Sequence, residues 1–259
     1  MSRIYLAFLH RMPGVVIAAA LCLCLPAAAQ AGELTVSAAI SLAKAFKEIG
    51  EAFEKTQPGT KLTFNFAASG ALLQQIGRGA PVDVFATADQ ETMNRAAATN
   101  LIKLDTRRSF ALNQLVLVVP LRSSANINSV EDLKQESVRR IAIGVPASVP
   151  AGRYARDALL ITGAWDALQP KLINAESVRQ VVDYVSRGEV DAGIVYLTDA
   201  RAAGEKIRIV TDLATGKPVE YPIAVVSATR SPGLAEAFVA YVLSAQGQAI
   251  LAKYHFGNR

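Results

Sequence analysis

Cysteine and histidine are scarce in this 259-residue chain, with two of each. Cys22, Cys24 and His10 all fall within residues 1–31, which read as a removable export signal peptide. Arg3, His10 and Arg11 form its basic start, Gly14 to Leu25 its apolar run, and Ala29-Gln30-Ala31 a small-x-small cleavage signature. The run is shorter than the roughly 20 residues of a membrane span, so an uncleaved anchor is the lesser alternative. Leu21 and Leu23 before the cysteines argue against a lipid-anchored product. The remaining chain has no thiol, which excludes disulfides, thiolate metal centres and a cysteine nucleophile. His255 alone would have to serve a Ser-His-Asp triad, and no Gly-x-Ser-x-Gly elbow is present to receive it. Zinc sites built from His/Cys clusters are equally unsupported.

A dominant charge is missing as well. Lys and Arg number 27 against 22 Asp and Glu, a formal net charge of +5, and Arg3 and Arg11 leave with the leader. The basic residues are scattered through helical stretches and gather into no arm or stripe, which excludes a nucleic-acid partner. Such a balance supports weak steering of anions and no more. Low-complexity tracts, short-period repeats and flexible linkers are absent too, so the mature length fits one large or two moderate α/β domains.

What the chain does contain is a strand–helix alternation. Strand-like runs occur at Leu34–Ala38, Leu62–Phe66, Val82–Ala86, Leu115–Val119, Ile141–Val145, Ala192–Val195, Ile207–Val210 and Tyr221–Val226. Between them lie helical patterns such as Leu42, Ala45, Phe46, Ile49 and Phe53, or Val178, Val181, Val182 and Val185. This rhythm predicts parallel sheets flanked by helices. Leu115–Val119 and Tyr221–Val226 could cross between two lobes, with final helices at about 233–243 and 246–254 packing back on the first.

Two of these strands run straight into a serine that opens a helix: Ser41 and Ser69. A helix start presents unpaired N–H groups and the positive end of the macrodipole, a natural seat for an anion. Serine adds a hydroxyl donor without charge, and Ala38, Ala39, Ala67, Ala68 and Gly70 allow close approach to the backbone. Each serine alone could be an ordinary cap, worth about 1 kcal/mol to its helix. Their joint placement at strand carboxyl ends, where open α/β sheets bind ligands, favours a small oxyanion instead. In the middle of the chain, Val149-Pro-Ala-Gly152 reads as a helix entrance or a plain loop. Val178 lies in a first helical turn and offers its N–H, and Tyr196 ends a strand as either a cleft donor or a core tyrosine.

The order and spacing of several fragments resemble the periplasmic molybdate-binding proteins of ABC importers, from about Glu33 to the C-terminus. They are Ala38-Ala-Ile-Ser41-Leu, Phe66-Ala-Ala-Ser69, Gly79-Ala-Pro-Val-Asp83-Val-Phe, Ala88-Asp-Gln90, Val149-Pro-Ala-Gly152, Gly163-Ala-Trp-Asp166, Gly193-Ile-Val-Tyr196 and Val219-Glu-Tyr-Pro222. The resemblance implies an α/β type II periplasmic-binding fold: two lobes, two crossover strands, and ligand in the interlobe cleft. The expected division is a leader at 1–31, a first lobe at 32–115 plus 225–259, and a second at 116–224. It further implies molybdate or tungstate held by Ser41 and Ser69 on one lobe and Ala151, Val178 and Tyr196 on the other. Ala151 and Val178 would act through their main-chain N–H, and molybdenum would be met only through its oxyanion oxygens. No catalytic residue and no separate cofactor are implied. The partner would be an inner-membrane ABC permease with its cytoplasmic ATPase, served by a periplasmic monomer. Ile40 stands where the family often has a third alanine, and Ala68 and Gly70 flank Ser69 where it often has serines.

Other readings use the same residues. A sulfate binder would share the fold. An effector-sensing domain of a transcription regulator would need a helix-turn-helix where the leader stands. An enzyme would need a cleft base from His255, Asp83, Asp89 or Asp199, and the aspartates are expected to cap helices or close turns.

Overall fold

The computed structural model describes residues 32–123 and 125–258; the export leader expected at 1–31 lies outside them. In chain order the first elements are β1 (Glu33–Ala39), α1 (Ala43–Thr56), β2 (Lys61–Ala67), α2 (Ser69–Gly77), β3 (Val84–Ala86), α3 (Gln90–Ala98) and β4 (Arg108–Asn113). Next come β5 (Leu115–Pro120), β6 (Ile141–Gly144), α4 (Pro150–Ile161), α5 (Trp165–Leu168), β7 (Leu172–Ala175), α6 (Val178–Ser186), β8 (Ala192–Tyr196), α7 (Leu197–Ala203) and β9 (Ile207–Leu213). The chain ends with β10 (Val219–Val225), α8 (Pro232–Leu243) and α9 (Ala245–Lys253).

These strands form two five-stranded mixed sheets, ordered β2-β1-β3-β10-β4 and β7-β6-β8-β5-β9. Each sheet is the centre of one lobe. In the first, period-two alternation divides the side chains between two faces. Val84, Ala86, Ile223 and Val225 join a core with Phe46 and Phe53 of α1 and Phe238 of α8. Phe85 and Ala224, one residue out of phase, point instead to Leu72, Leu73 and Ile76 of α2 and Met93 of α3. Edge-on aromatic contacts, such as Phe53 with Phe238 at 5.4 Å, fix the first of these layers. In the second lobe, β6 pairs in parallel with β7 and β8, the arrangement expected of strand–helix–strand units.

The lobes are joined where β4 runs into β5 through Gln114 and where residues 214–218 connect β9 to β10. The two passages lie side by side, since Asn113 pairs with Val219 on one side and Leu115 with Leu213 on the other. The expected boundary at 224/225 therefore falls inside a strand of the first sheet. β10 is paired along its length with β4 and β3, and a bulge between Tyr221 and Pro222 accommodates the missing proline N–H. Two strands carried no clear sequence signal. β4 begins with Arg108 and Ser109, and β7 is a four-residue edge strand with Ile173 and Asn174 exposed.

Candidate functional site

Neither serine caps a helix. Ser41 sits inside a short 3-10 turn, Ile40–Leu42, whose N-cap is Ala39, and α1 starts beyond it with Leu42 as N-cap. Ser69 is the first residue of α2, after Ala68 as N-cap. Both hydroxyls are engaged elsewhere. The Ala88 N–H donates to Ser69 Oγ at 3.1 Å. Ser41 Oγ lies 3.0 Å from Tyr221 Oη, which itself accepts from Asn113 Nδ2 at 3.1 Å. Either oxygen of the Ser41–Tyr221 pair can be the donor. Ser69 Oγ thus receives a hydrogen bond and has its own proton left to give. The capping explanation fails, and the Ser69 hydroxyl is left able to donate.

The structure brings Ser41, Ser69, Ala151, Val178 and Tyr196 to the wall of one small cavity between the lobes. Ala88 and otherwise aliphatic carbon complete the lining, which contains no charged side chain. α4 begins there with Pro150, which has no N–H, so Ala151 carries the first amide of that helix. Val178 is the first residue of α6, behind the N-cap Ser177, whose Oγ accepts from Gln180 N–H at 3.2 Å. First-turn amides have no intrahelical acceptor, so two helix starts from the second lobe face the serines of the first. Tyr196 is buried, and its hydroxyl donates to the Ala88 carbonyl of the opposite lobe at 3.3 Å. Burial pushes the phenols of Tyr196 and Tyr221 well above the ordinary range, so both remain neutral O–H donors.

Backbone meets backbone across the cleft at Gly70, whose N–H donates to Ser148 O at 3.0 Å. A Cβ on Gly70 would lie 2.5 Å from that oxygen. Gly152 serves packing within the second lobe. Its absent side chain lets α4 rest on the end of β6, where a Cβ would meet Gly144 O at 2.0 Å.

Of the three aspartates, Asp89 caps α3, accepting from Thr92 N–H at 3.1 Å. Asp83 accepts from Thr35 N–H at 2.8 Å and Thr229 Oγ1 at 2.6 Å, tying the base of the first sheet together. Asp199 departs from expectation, because its buried Oδ2 has no hydrogen-bond partner among the described residues. It lines a neighbouring cavity that shares Ser41 and includes Lys44, Arg179, Arg201 and Lys253. Burial pushes its carboxyl from 3.8 up to about 7, against the opposing pull of Arg179 and Lys44. Between these values the folded protein holds a proton that the unfolded chain has lost. The stability owed to this group therefore falls as pH rises from about 4 to about 7 and is level above that. Asp199→Asn should accordingly be more stable than the parent at pH 8 by about 4 kcal/mol, the difference shrinking toward zero near pH 4. Chemical denaturation across that range measures it.

Sequence reasoning missed Tyr221 and Asn113, which orient Ser41, and the Arg153 side chain that reaches Asp89 at 2.6 Å. Asp89 lay in a quoted fragment, but nothing local to either residue names its partner across 64 positions.

With this geometry in view, similarity to known proteins becomes informative. A family described as bacterial extracellular solute-binding protein matches residues 34–257. The molybdate-binding protein ModA of Escherichia coli is 39% identical over 236 residues, spanning 89% of this chain and 91% of that one. The periplasmic molybdate-binding protein of Azotobacter vinelandii superposes with a TM-score of 0.76 at 23% identity, covering 87% of this chain and 99% of its own. The sulfate-binding protein SubI of Mycobacterium tuberculosis reaches the same TM-score at 19% identity, over 86% of each chain. The fold alone therefore does not select the ion.

Proposed function

Because the chain belongs to the family of bacterial extracellular solute-binding proteins, we propose that it captures molybdate, and tungstate with it, outside the inner membrane for an ABC importer. The observation that carries this reading is the convergence of five donor positions from both lobes on one cavity without a charged side chain.

A doubly charged tetrahedral ion needs several donors and no fixed cation, provided the donors are already oriented. Hydrogen bonds to a charged group contribute about 1.5–3 kcal/mol each. Five to seven of them, less the cost of immobilisation, support about −8 to −12 kcal/mol, in the micromolar to nanomolar range. Ser41 and Ser69 offer protons from the first lobe, and the first turns of α4 and α6 offer amides from the second. Rotation about its C–O bond turns the Tyr196 proton from Ala88 into the cavity.

The donor set also discriminates. Phosphate keeps a proton near neutral pH and needs an acceptor for it, which a lining without carboxylates does not provide. Sulfate carries the same charge as molybdate, so only size can separate them, through metal–oxygen bonds longer than sulfur–oxygen bonds. Since donors come from both lobes, the ion binds the closed arrangement better than the open one and so drives closure. The closed monomer is the form that an inner-membrane permease with its cytoplasmic ATPase would recognise. The protein itself does no chemistry on its cargo.

Calorimetric titration with molybdate, tungstate, sulfate and phosphate tests this reading. Molybdate and tungstate should bind at micromolar concentration or below and phosphate should be silent. Tight sulfate binding with no molybdate signal would overturn the assignment.

A further inference from the structure

A buried ion pair ties the lobes together beside the cavity, and it touches none of the cavity's proposed donors. Asp89 lies between β3 and α3 in the first lobe, and Arg153 lies in α4 of the second. Their side chains are 5% and 7% exposed. Arg153 donates to Asp89 Oδ2 from Nε at 2.8 Å and from Nη2 at 2.6 Å. Nη2 also donates to Thr92 Oγ1 at 2.7 Å, and Nη1 to the carbonyls of Pro146 and Ala147 at 3.1 and 3.3 Å. Asp89 Oδ1 accepts the Thr92 N–H that caps α3, while the exposed Glu91 carboxylate stands 3.6 Å from Arg153 Nε. Every nitrogen of the guanidinium and both oxygens of the carboxylate are thereby occupied.

We propose that Arg153 is a positioning residue for ion capture, its pair with Asp89 setting the register in which the lobes close; this rests on the oxyanion-binding reading above. Asp89 is next to Ala88, which meets both Ser69 and Tyr196, and Arg153 is two residues beyond Ala151. Seating the pair therefore aligns a wall of each lobe. In an open cleft both charges would be hydrated and their attraction weak. Closure strips that water away, which is tolerable only when every partner is met at once. A cleft closed slightly out of register leaves an unpaired buried charge, so the pair enforces one closed geometry. Because it is built from the protein's own side chains, it acts with or without cargo.

Such a pair has a recognisable mutational signature. Removing one member strands the other, whereas removing both leaves no buried charge. Asp89→Asn, which keeps an acceptor for the α3 cap, and Arg153→Met should each weaken molybdate binding by about ten- to a hundredfold. Arg153→Lys keeps the charge but cannot reproduce the fork, and should fall between them and the parent. The double variant should recover most of the affinity lost by either single one. Small-angle scattering of the ligand-free proteins gives an independent readout, with single variants showing a larger radius of gyration than the parent. If the parent fails to bind molybdate, the ligand reading falls while the scattering still decides the fate of the pair. Unchanged radii and affinities in Asp89→Asn and Arg153→Lys would overturn the proposal. So would additive losses in the double variant, or a lowered melting temperature with the ligand-free radius unaltered.

Discussion

Alanine at both Ser41 and Ser69 should weaken molybdate binding by about two orders of magnitude or more while the protein still folds. Each hydroxyl supplies one hydrogen bond to a charged ligand, worth about 1.5–3 kcal/mol, and each tenfold in affinity corresponds to about 1.4 kcal/mol. The structure shows what holds each hydroxyl in place. Ser69 Oγ accepts from Ala88 N–H, and Ser41 Oγ shares a hydrogen bond with the Tyr221 phenol, whose oxygen also accepts from Asn113. Losing the oxygens also leaves the buried Ala88 amide without its acceptor, so a fall of a few degrees in melting temperature should accompany the change. Calorimetry with circular dichroism separates the two effects. An unaltered titration curve in the double variant would place the anion site elsewhere.

Gly70→Ala should have an effect of similar size by another route. Its Cβ would stand 2.5 Å from Ser148 O and 2.8 Å from Ser148 Cα, both backbone atoms of the opposite lobe. Backbone cannot swing aside as a long side chain can, so the lobes would have to part. The helix itself would gain, since alanine is favoured over glycine within a helix by about 1 kcal/mol. The expected result is a ligand-free protein at least as stable as the parent, with molybdate affinity lowered about a hundredfold. The rise in melting temperature on adding molybdate should shrink in proportion. Normal affinity in this variant would show that the Gly70–Ser148 contact is not required for capture.

Much of the architecture was legible because it follows local periodicity. The alternating strands and the faces of α1 and α6 are written in residues such as Phe46, Ile49, Val181 and Val185, whose spacing allows only one buried side. The division of the lobes was less legible. Tyr221–Val226 reads as an apolar strand wherever it pairs, and only its ladder with β3 and β4 assigns it to the first sheet. At the site, the strand-to-helix junctions and family resemblance pointed to Ser41, Ser69, Ala151, Val178 and Tyr196, and the fold gathers them around one cavity. The direction in which each serine hydroxyl points could not be read. For Ser41 it depends on Tyr221 and Asn113, 180 and 72 positions away, and for Ser69 on Ala88, and no spacing rule links residues so far apart. The orphaned Asp199 oxygen was illegible for the same reason, as an aspartate in a first helical turn ordinarily reaches water.

The place of β10 between β3 and β4 has a consequence for how the molecule is made. All five strands of the second sheet lie within residues 115–213, so that half can finish from one unbroken stretch of polypeptide. The first half cannot. Its opening segments emerge early but lack an interior strand until residues 219–225 arrive, and until then β3 and β4 each present an open edge. The part begun first is completed last, and the chamber that needs both halves is assembled only at the end of synthesis.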